Sequence, residues 1–86
     1  MPTHRRDLVK TLTNIPDEAQ MEAFLKDILT PGELEDIASR LQIARLLIQG
    51  MPQRAIAKKL KVSLAKVTRG SREIKYGHKG FLNTLK

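Results

Sequence analysis

One nearly continuous apolar helix constrains what this chain can fold into. Residues 41–48 read LQIARLLI, and only Gln42 and Arg45 among them are polar. The surrounding pattern predicts a helix over residues 31 to about 49, whose apolar surface wraps most of the way round and must be covered on several sides. A chain of 86 residues has few other elements to cover it. This favours a helix at the centre of an extensive homodimer over a central core helix in a monomer.

The rest of the chain also reads as helical, with no alternating strand pattern and no internal repeat. The pattern predicts a first helix from Thr3 to near residue 14, and a second with Pro16 in its first turn that ends near residue 29. The second helix is expected to bury four apolar side chains, those of Met21, Phe24, Leu25 and Ile28. Thr30 and Glu33 have capping-box spacing at the start of the long helix. The predicted fold class is all-α, with about six helices and a central helix-turn-helix.

A single domain is expected over residues 1–86. Residues 1–50 would form a helical dimerisation core, residues 51–75 a helix-turn-helix, and residues 76–86 a turn followed by a short helix. That last helix is expected to bury Phe81, Leu82 and Leu85 on the partner or the core.

The charge of the chain indicates an anionic partner. Sixteen Lys and Arg against nine Asp and Glu give a formal charge of +7. Acids predominate in residues 17–36, whereas residues 54–75 carry eight basic side chains and one acid, Glu73. Such segregation favours nucleic acid or an acidic membrane surface, and a merely well-solvated basic surface is the alternative.

Several function classes lack their usual residues. The chain has no cysteine, and no apolar run has the length of a signal peptide or a membrane span, so a cytoplasmic protein without membrane contact is expected. His4 and His78 stand apart from any plausible set of metal ligands. We find no nucleophile with a base, no paired carboxylates in an apolar setting and no glycine-rich phosphate loop, so no enzymatic activity and no resident cofactor are expected.

The segment QRAIAKKLKVSLAKV, residues 53–67, has the spacing of a helix-turn-helix. This motif needs a small residue where its helices meet, here Ala57, an aliphatic residue after the turn, Val62, and another in the second helix, Val67. Ser63 is placed to cap the second helix. Lys61 occupies the turn position that usually carries glycine, where a left-handed backbone costs about 1 kcal/mol. An ordinary helical hairpin is the alternative, but it leaves the basic cluster unexplained.

The second helix of this motif is the expected DNA-reading element, because recognition helices present their N-terminal residues to base edges. Its helical period places Val67, Ser71 and Ile74 inward and leaves Ala65, Lys66, Arg69 and Arg72 largely outward. Base readout is expected from Ser63, Leu64, Ala65, Thr68 and Arg54. Phosphate contacts are expected from Lys58, Lys59, Lys61, Lys66 and Arg72, and Arg69 is a further candidate for the phosphates.

Two runs carry a family resemblance: ILTPGELEDIASRLQIARLLIQG and QRAIAKKLKVSLAKVTRGS. Together they resemble the tryptophan repressor family in the LTP helix start, the SR arginine of the long helix and the TRGS motif, over roughly residues 29–71. The resemblance implies an all-helical, intertwined homodimer whose two helix-turn-helix units enter successive major grooves of double-stranded DNA, a known property of that family.

The resemblance also implies a site for a small-molecule corepressor. By analogy with the tryptophan-binding members, Arg40, Arg69 and Gly70 would enclose the indole of L-tryptophan, and Thr30 would help to hold its carboxylate. Guanidinium groups suit both tasks, since they stack on aromatic rings and pair with carboxylates. Glu73 stands where the family has a serine that contacts the ligand amine, and Asp27 stands where it has an apolar residue.

Three functions remain open at this point. A repressor would bind a palindromic operator as a homodimer, with L-tryptophan or a related amino acid as corepressor. A regulator of the same fold could bind DNA without a ligand. A basic dimer that binds acidic proteins is the third, and weak salt dependence with no DNA sequence preference would favour it.

Overall fold

The computed structural model describes residues 2–86, which form six helices and no strand. The helices are α1 (Pro2–Thr13), α2 (Glu18–Ile28), α3 (Pro31–Ile48), α4 (Gln53–Leu60), α5 (Leu64–Tyr76) and α6 (Gly80–Leu85). The predicted all-α class with about six helices is therefore confirmed. The described residues divide into two compact units, an N-terminal unit that ends at Leu34 and a C-terminal unit, Glu35–Lys86.

In the N-terminal unit, side-chain caps set where the helices begin. α2 begins at Glu18, and Asp17 is its N-cap residue, so Pro16 lies outside the helix. The Asp17 carboxylate accepts a hydrogen bond of 2.9 Å from the Gln20 N–H. The prediction that Pro16 lies in the first turn is wrong, because the carboxylate of Asp17 satisfies a free N–H group there. The capping box at the start of α3 is confirmed: Glu33 N–H donates to Thr30 Oγ1 at 3.2 Å, and Thr30 N–H donates to Glu33 Oε1 at 2.8 Å.

The apolar residues of α2 are less covered than the sequence predicts. None of them is buried, Met21, Phe24 and Leu25 are half-buried, and Ile28 is 52% exposed. The prediction that α2 buries all four is wrong for the single chain. Half-burial removes less apolar surface from water than full burial, so α2 stabilises this unit less than the sequence predicts.

The C-terminal unit has a compact core at the end of α3. Ile43, Ile56 and Val67, from α3, α4 and α5, are each at most 1% exposed, and half-buried apolar side chains surround them. After α3 the chain turns at Gly50, whose φ of 93° suits glycine. Pro52 is the N-cap residue of α4, one position before the first helical residue. The homodimer expected around α3 stays a prediction.

The turn between α4 and α5 has the predicted helix-turn-helix geometry. Lys61 adopts the left-handed conformation, with φ 56° and ψ 45°. Val62 N–H donates to the Ala57 carbonyl at 3.1 Å, which closes the turn. Ser63 Oγ then accepts a hydrogen bond of 3.1 Å from the Lys66 N–H and caps α5. The chain thus keeps the motif although a lysine replaces the usual glycine.

The C-terminal segment forms the expected short helix. Lys79 has a positive φ of 64° and precedes α6. The side chains of Phe81, Leu82 and Leu85 are half-buried rather than buried.

Candidate nucleic-acid interface and ligand cleft

A broad, open concavity of about 650 Å³ lies along the exposed face of α5. It is lined by Leu64, Ala65, Thr68, Arg69, Arg72 and Glu73. All six are exposed, and Leu64 keeps 42% of its surface accessible although it is apolar. An exposed leucine beside alanine, threonine and two arginines offers apolar, hydrogen-bonding and cationic groups together. Five of these six residues were predicted for DNA binding, and the structure brings them onto one surface.

A hydrogen bond joins this face to the start of α4. Thr68 Oγ1 donates to Gln53 Oε1 at 2.8 Å, across 15 positions of sequence. The sequence prediction included Thr68 but missed Gln53, which is the first residue of α4 and is half-buried. A glutamine opening the first helix of a helix-turn-helix is the only signal the sequence offered.

The cations predicted to contact DNA have two different environments. Arg54, Lys58, Lys59, Lys61 and Arg72 are exposed. Lys66 is half-buried, and its Nζ lies 2.8 Å from Asp36 Oδ1. The prediction that Lys66 projects outward is therefore wrong, because a carboxylate on α3 holds its ammonium group.

A cleft of about 620 Å³ lies beside α5 within the C-terminal unit, a volume typical of small-molecule sites. Four of the five predicted ligand residues line it, namely Arg40, Arg69, Gly70 and Glu73. The other lining residues are Asp36, Ile43, Ser63, Ala65, Lys66 and Phe81. Thr30 belongs to the N-terminal unit, where it caps α3, and its role in ligand binding stays a prediction.

Asp36 is the acidic centre of this cleft, and it was not among the predicted site residues. Arg40 Nη2 lies 3.0 Å from Asp36 Oδ2, so both carboxylate oxygens are paired with cations, from α3 and from α5. The hydrogen bond from Lys66 lowers the pKa of the Asp36 carboxyl. Partial burial opposes this shift, and the positive charges of Arg40, Lys66 and Arg69 reinforce it. The only sequence signal was the spacing of four residues between Asp36 and Arg40.

Gly70 allows α5 to approach α3 closely. A Cβ atom added there would lie 2.9 Å from Ile43 Cγ2 and 3.4 Å from Leu47 Cδ1. Because Ile43 is buried in the core, it has little room to withdraw. The glycine therefore has a packing role in the cleft wall whether or not a ligand binds.

The family model described as Trp repressor protein matches residues 4–86 of the 86. The chain belongs to the Trp repressor family. This is a family of regulators rather than enzymes, and the chain is a Trp operon repressor-like regulator.

The curated relatives of this Trp repressor family member align with much of its length. A Trp operon repressor homolog of Actinobacillus succinogenes is 38% identical over 84 residues, which are 96% of this chain and 83% of the relative. One from Chlamydia trachomatis serovar L2 is 48% identical over 61 residues, 65% of each protein. One from Vibrio campbellii is 35% identical over 71 residues, 81% of this chain and 71% of the relative. The chain thus spans slightly less than two thirds of the chlamydial relative. No solved structure matches the chain significantly.

Residues 2–86 contain no group of three or more His, Asp or Glu side chains placed to hold a metal ion. None of the helices in the described part of the chain is long and apolar enough to cross a membrane.

Proposed function

We propose that this chain is a DNA-binding transcriptional repressor that recognises a palindromic operator as a homodimer, with L-tryptophan or a related amino acid as corepressor. One observation carries the proposal: Ala65, Arg69 and Glu73 line both the cleft and the exposed face of α5. A ligand in the cleft would therefore contact side chains that also border the DNA-binding surface. Binding that favours one position of these side chains would shift the population towards the DNA-competent form.

The charges in the cleft fit a zwitterionic ligand. Asp36 already pairs with Arg40 and Lys66, which leaves Arg69 as the cation available to a ligand carboxylate. Glu73 lies on the same helix, one turn further along, and can accept a hydrogen bond from a ligand ammonium group. We expect the ammonium group to be required, because Glu73 would repel a ligand that carries only a carboxylate.

The dimer is proposed from the apolar surface that a single chain leaves uncovered. Leu8, Val9, Ile28, Ile37 and Leu41 are exposed large apolar side chains on α1, α2 and α3. Small domains bury a limited fraction of their surface, and a second copy of the chain would cover these side chains. Residues 1–50 would then form the dimerisation core, and a two-fold dimer would match a palindromic operator. A DNA-binding regulator of this kind would act in the cytoplasm.

Calorimetric titration with L-tryptophan tests the ligand site. The unmodified protein should bind one ligand per chain, and Arg69→Ala should abolish the binding. Arg72→Ala is the matched control, because Arg72 is an arginine on the same helix that lines the exposed face but not the cleft. Indole-3-propionate, which lacks the ammonium group, should bind at least about tenfold more weakly if Glu73 contributes a charged hydrogen bond. Absence of binding would contradict L-tryptophan as the corepressor, and absence of binding by other aromatic amino acids as well would contradict the corepressor site.

A ligand-independent regulator of the same fold is the second candidate, and the Asp36 to Lys66 salt bridge favours it. This pair joins α3 to α5 through side chains of the chain itself. Operator binding measured by fluorescence anisotropy with and without L-tryptophan separates the two candidates. A corepressor-dependent protein should bind more tightly with the amino acid, whereas a ligand-independent one should bind equally in both conditions. Absence of operator selectivity and of salt dependence would instead indicate a protein-binding dimer.

A further inference from the structure

In the hydrogen bond between α4 and α5, the choice of donor and acceptor affects which DNA bases Thr68 can contact. Among the side-chain hydrogen bonds of residues 2–86, the Thr68 to Gln53 bond is the one that joins two helices by uncharged groups. Gln53 is half-buried, while Thr68 is exposed on the face of α5. Threonine is β-branched and has few side-chain conformations, so a 2.8 Å hydrogen bond fixes where its hydroxyl points.

A threonine hydroxyl has one proton to donate and two lone pairs that can accept. The proton of Thr68 is directed to Gln53 Oε1, so the hydroxyl presents only lone pairs to anything that approaches the exposed face. In the major groove, adenine N6 and cytosine N4 are hydrogen-bond donors, whereas guanine O6 and N7 and thymine O4 are acceptors. A hydroxyl that can only accept should therefore favour adenine or cytosine and disfavour guanine or thymine.

We propose that Gln53 is a specificity-determining residue that acts through Thr68. By taking the hydroxyl proton, Gln53 makes Thr68 an acceptor that selects an adenine or cytosine amino group in each half-site. Gln53 is a positioning residue in this role, because its own oxygen is directed to Thr68 and not to a base. The inference rests on the proposed function, since it requires α5 to enter the major groove.

The test is selection of operators from randomised DNA duplexes, with the unmodified protein and with two variants of Gln53. Thr68→Val, which is isosteric but lacks the hydroxyl, first identifies the base pair that Thr68 reads as the one whose preference disappears. The unmodified protein should prefer one orientation of that base pair by about tenfold, and duplexes whose adenine or cytosine there lacks its exocyclic amino group should lose the preference. Gln53→Met removes the acceptor at similar length, frees the hydroxyl to rotate, and should reduce that preference to about threefold or less.

Gln53→Glu is the conservative variant, because a carboxylate oxygen can still accept the Thr68 proton. It should keep the adenine or cytosine preference even if its charge weakens overall DNA affinity. A variant that merely misfolded would lose selectivity at every position, whereas the proposal requires loss at the Thr68 position alone. Circular dichroism of each variant confirms that its helices are intact.

Four results would overturn the inference. An unchanged preference when the adenine or cytosine of that base pair lacks its exocyclic amino group would mean that the Thr68 hydroxyl does not accept from the base. An unchanged preference in Gln53→Met would mean that Gln53 does not orient Thr68. Enrichment of an operator with no position sensitive to Thr68→Val would remove this inference and leave the proposed function standing. Absence of any enrichment by the unmodified protein, with or without L-tryptophan, would remove both.

Discussion

The two units of the molecule differ in how completely one chain buries its apolar side chains. In the C-terminal unit, Ile43, Ile56 and Val67 meet in a core that excludes water. In the N-terminal unit, α2 has no buried residue, and α1 leaves Val9 57% exposed. The helix-turn-helix thus assembles from one chain. Exposed apolar side chains of α1, α2 and the first half of α3 are the physical basis of the proposed dimer, because a second copy of the chain would cover them.

Replacing Ile56 should give the largest loss of stability. Ile56→Ala removes a fully buried side chain and leaves a cavity, so the free energy of unfolding should fall by about 2–5 kcal/mol. Val9→Ala changes an exposed residue of α1, and in an isolated chain its effect should stay within about 0.5 kcal/mol. Chemical denaturation at two protein concentrations measures both effects.

The same denaturation measurements, together with analytical ultracentrifugation, test the dimer. If a partner covers α1, Val9→Ala should lower the association constant measured by analytical ultracentrifugation, and the unfolding midpoint should rise with protein concentration. Ile56→Ala should act on the fold of the chain itself. Midpoints that do not depend on concentration, together with a silent Val9→Ala, would show that the exposed apolar face is not a subunit interface.

Local rules predicted much of this fold, because the interactions concerned lie within a few residues of each other. The capping box of Thr30 and Glu33 and the cap by Ser63 involve groups three residues apart. The left-handed Lys61 followed from the spacing of the helix-turn-helix. Residue spacing within one element was enough to make these predictions.

Contacts between distant segments could not be predicted in the same way. The Asp36 to Lys66 and Gln53 to Thr68 pairs depend on how α3, α4 and α5 pack, and no short sequence pattern records that packing. The exposure of Ile28 was missed for the opposite reason, because helical periodicity shows which face is apolar but not whether the same chain covers it.

Glycine-to-alanine changes should have opposite signs in the two units. Gly70→Ala places a methyl group 2.9 Å from buried Ile43 Cγ2 and should cost about 1–3 kcal/mol through overpacking. Gly32→Ala, in the first turn of α3, meets no atom within 4 Å and should stabilise the helix by about 0.5–1 kcal/mol. Thermal unfolding of both variants measures the difference. A neutral Gly70→Ala would show that α5 can move away from α3 at little cost.

Matched helix caps allow a finer comparison. Ser63→Ala in the C-terminal unit and Asp17→Ala in the N-terminal unit each remove one side-chain acceptor for an N–H group three residues on. Each should cost about 1 kcal/mol. Amide hydrogen exchange should increase in the first turn of α5 for Ser63→Ala, and in the first turn of α2 for Asp17→Ala. Increased exchange across the whole C-terminal unit in Ser63→Ala would show that α5 opens cooperatively with the core.

The smallest expected effect concerns acid stability, where the two units again provide a matched pair. The pKa of Asp36 is lowered by its hydrogen bond with Lys66, and the pKa of Glu22 is lowered by its hydrogen bond with Lys26. A carboxyl whose folded pKa lies below its unfolded pKa stabilises the fold fully above the unfolded value, about 3.9 for aspartate. That contribution is lost as the pH falls through the lowered pKa of the folded state.

The two ion pairs differ in which helices must be in place before they can form. The partner of Glu22 is four residues away on the same helix, so their pairing needs only α2, whereas the Asp36 to Lys66 pair exists only when α3 and α5 are packed together. Asp36→Asn should therefore flatten the decline in stability below about pH 4 more than Glu22→Gln does. Urea denaturation of both variants between neutral and acidic pH measures this. If the two curves are equally flattened, the Asp36 to Lys66 pair does not hold α5 against α3, and the case for a ligand-independent regulator loses the observation that favours it.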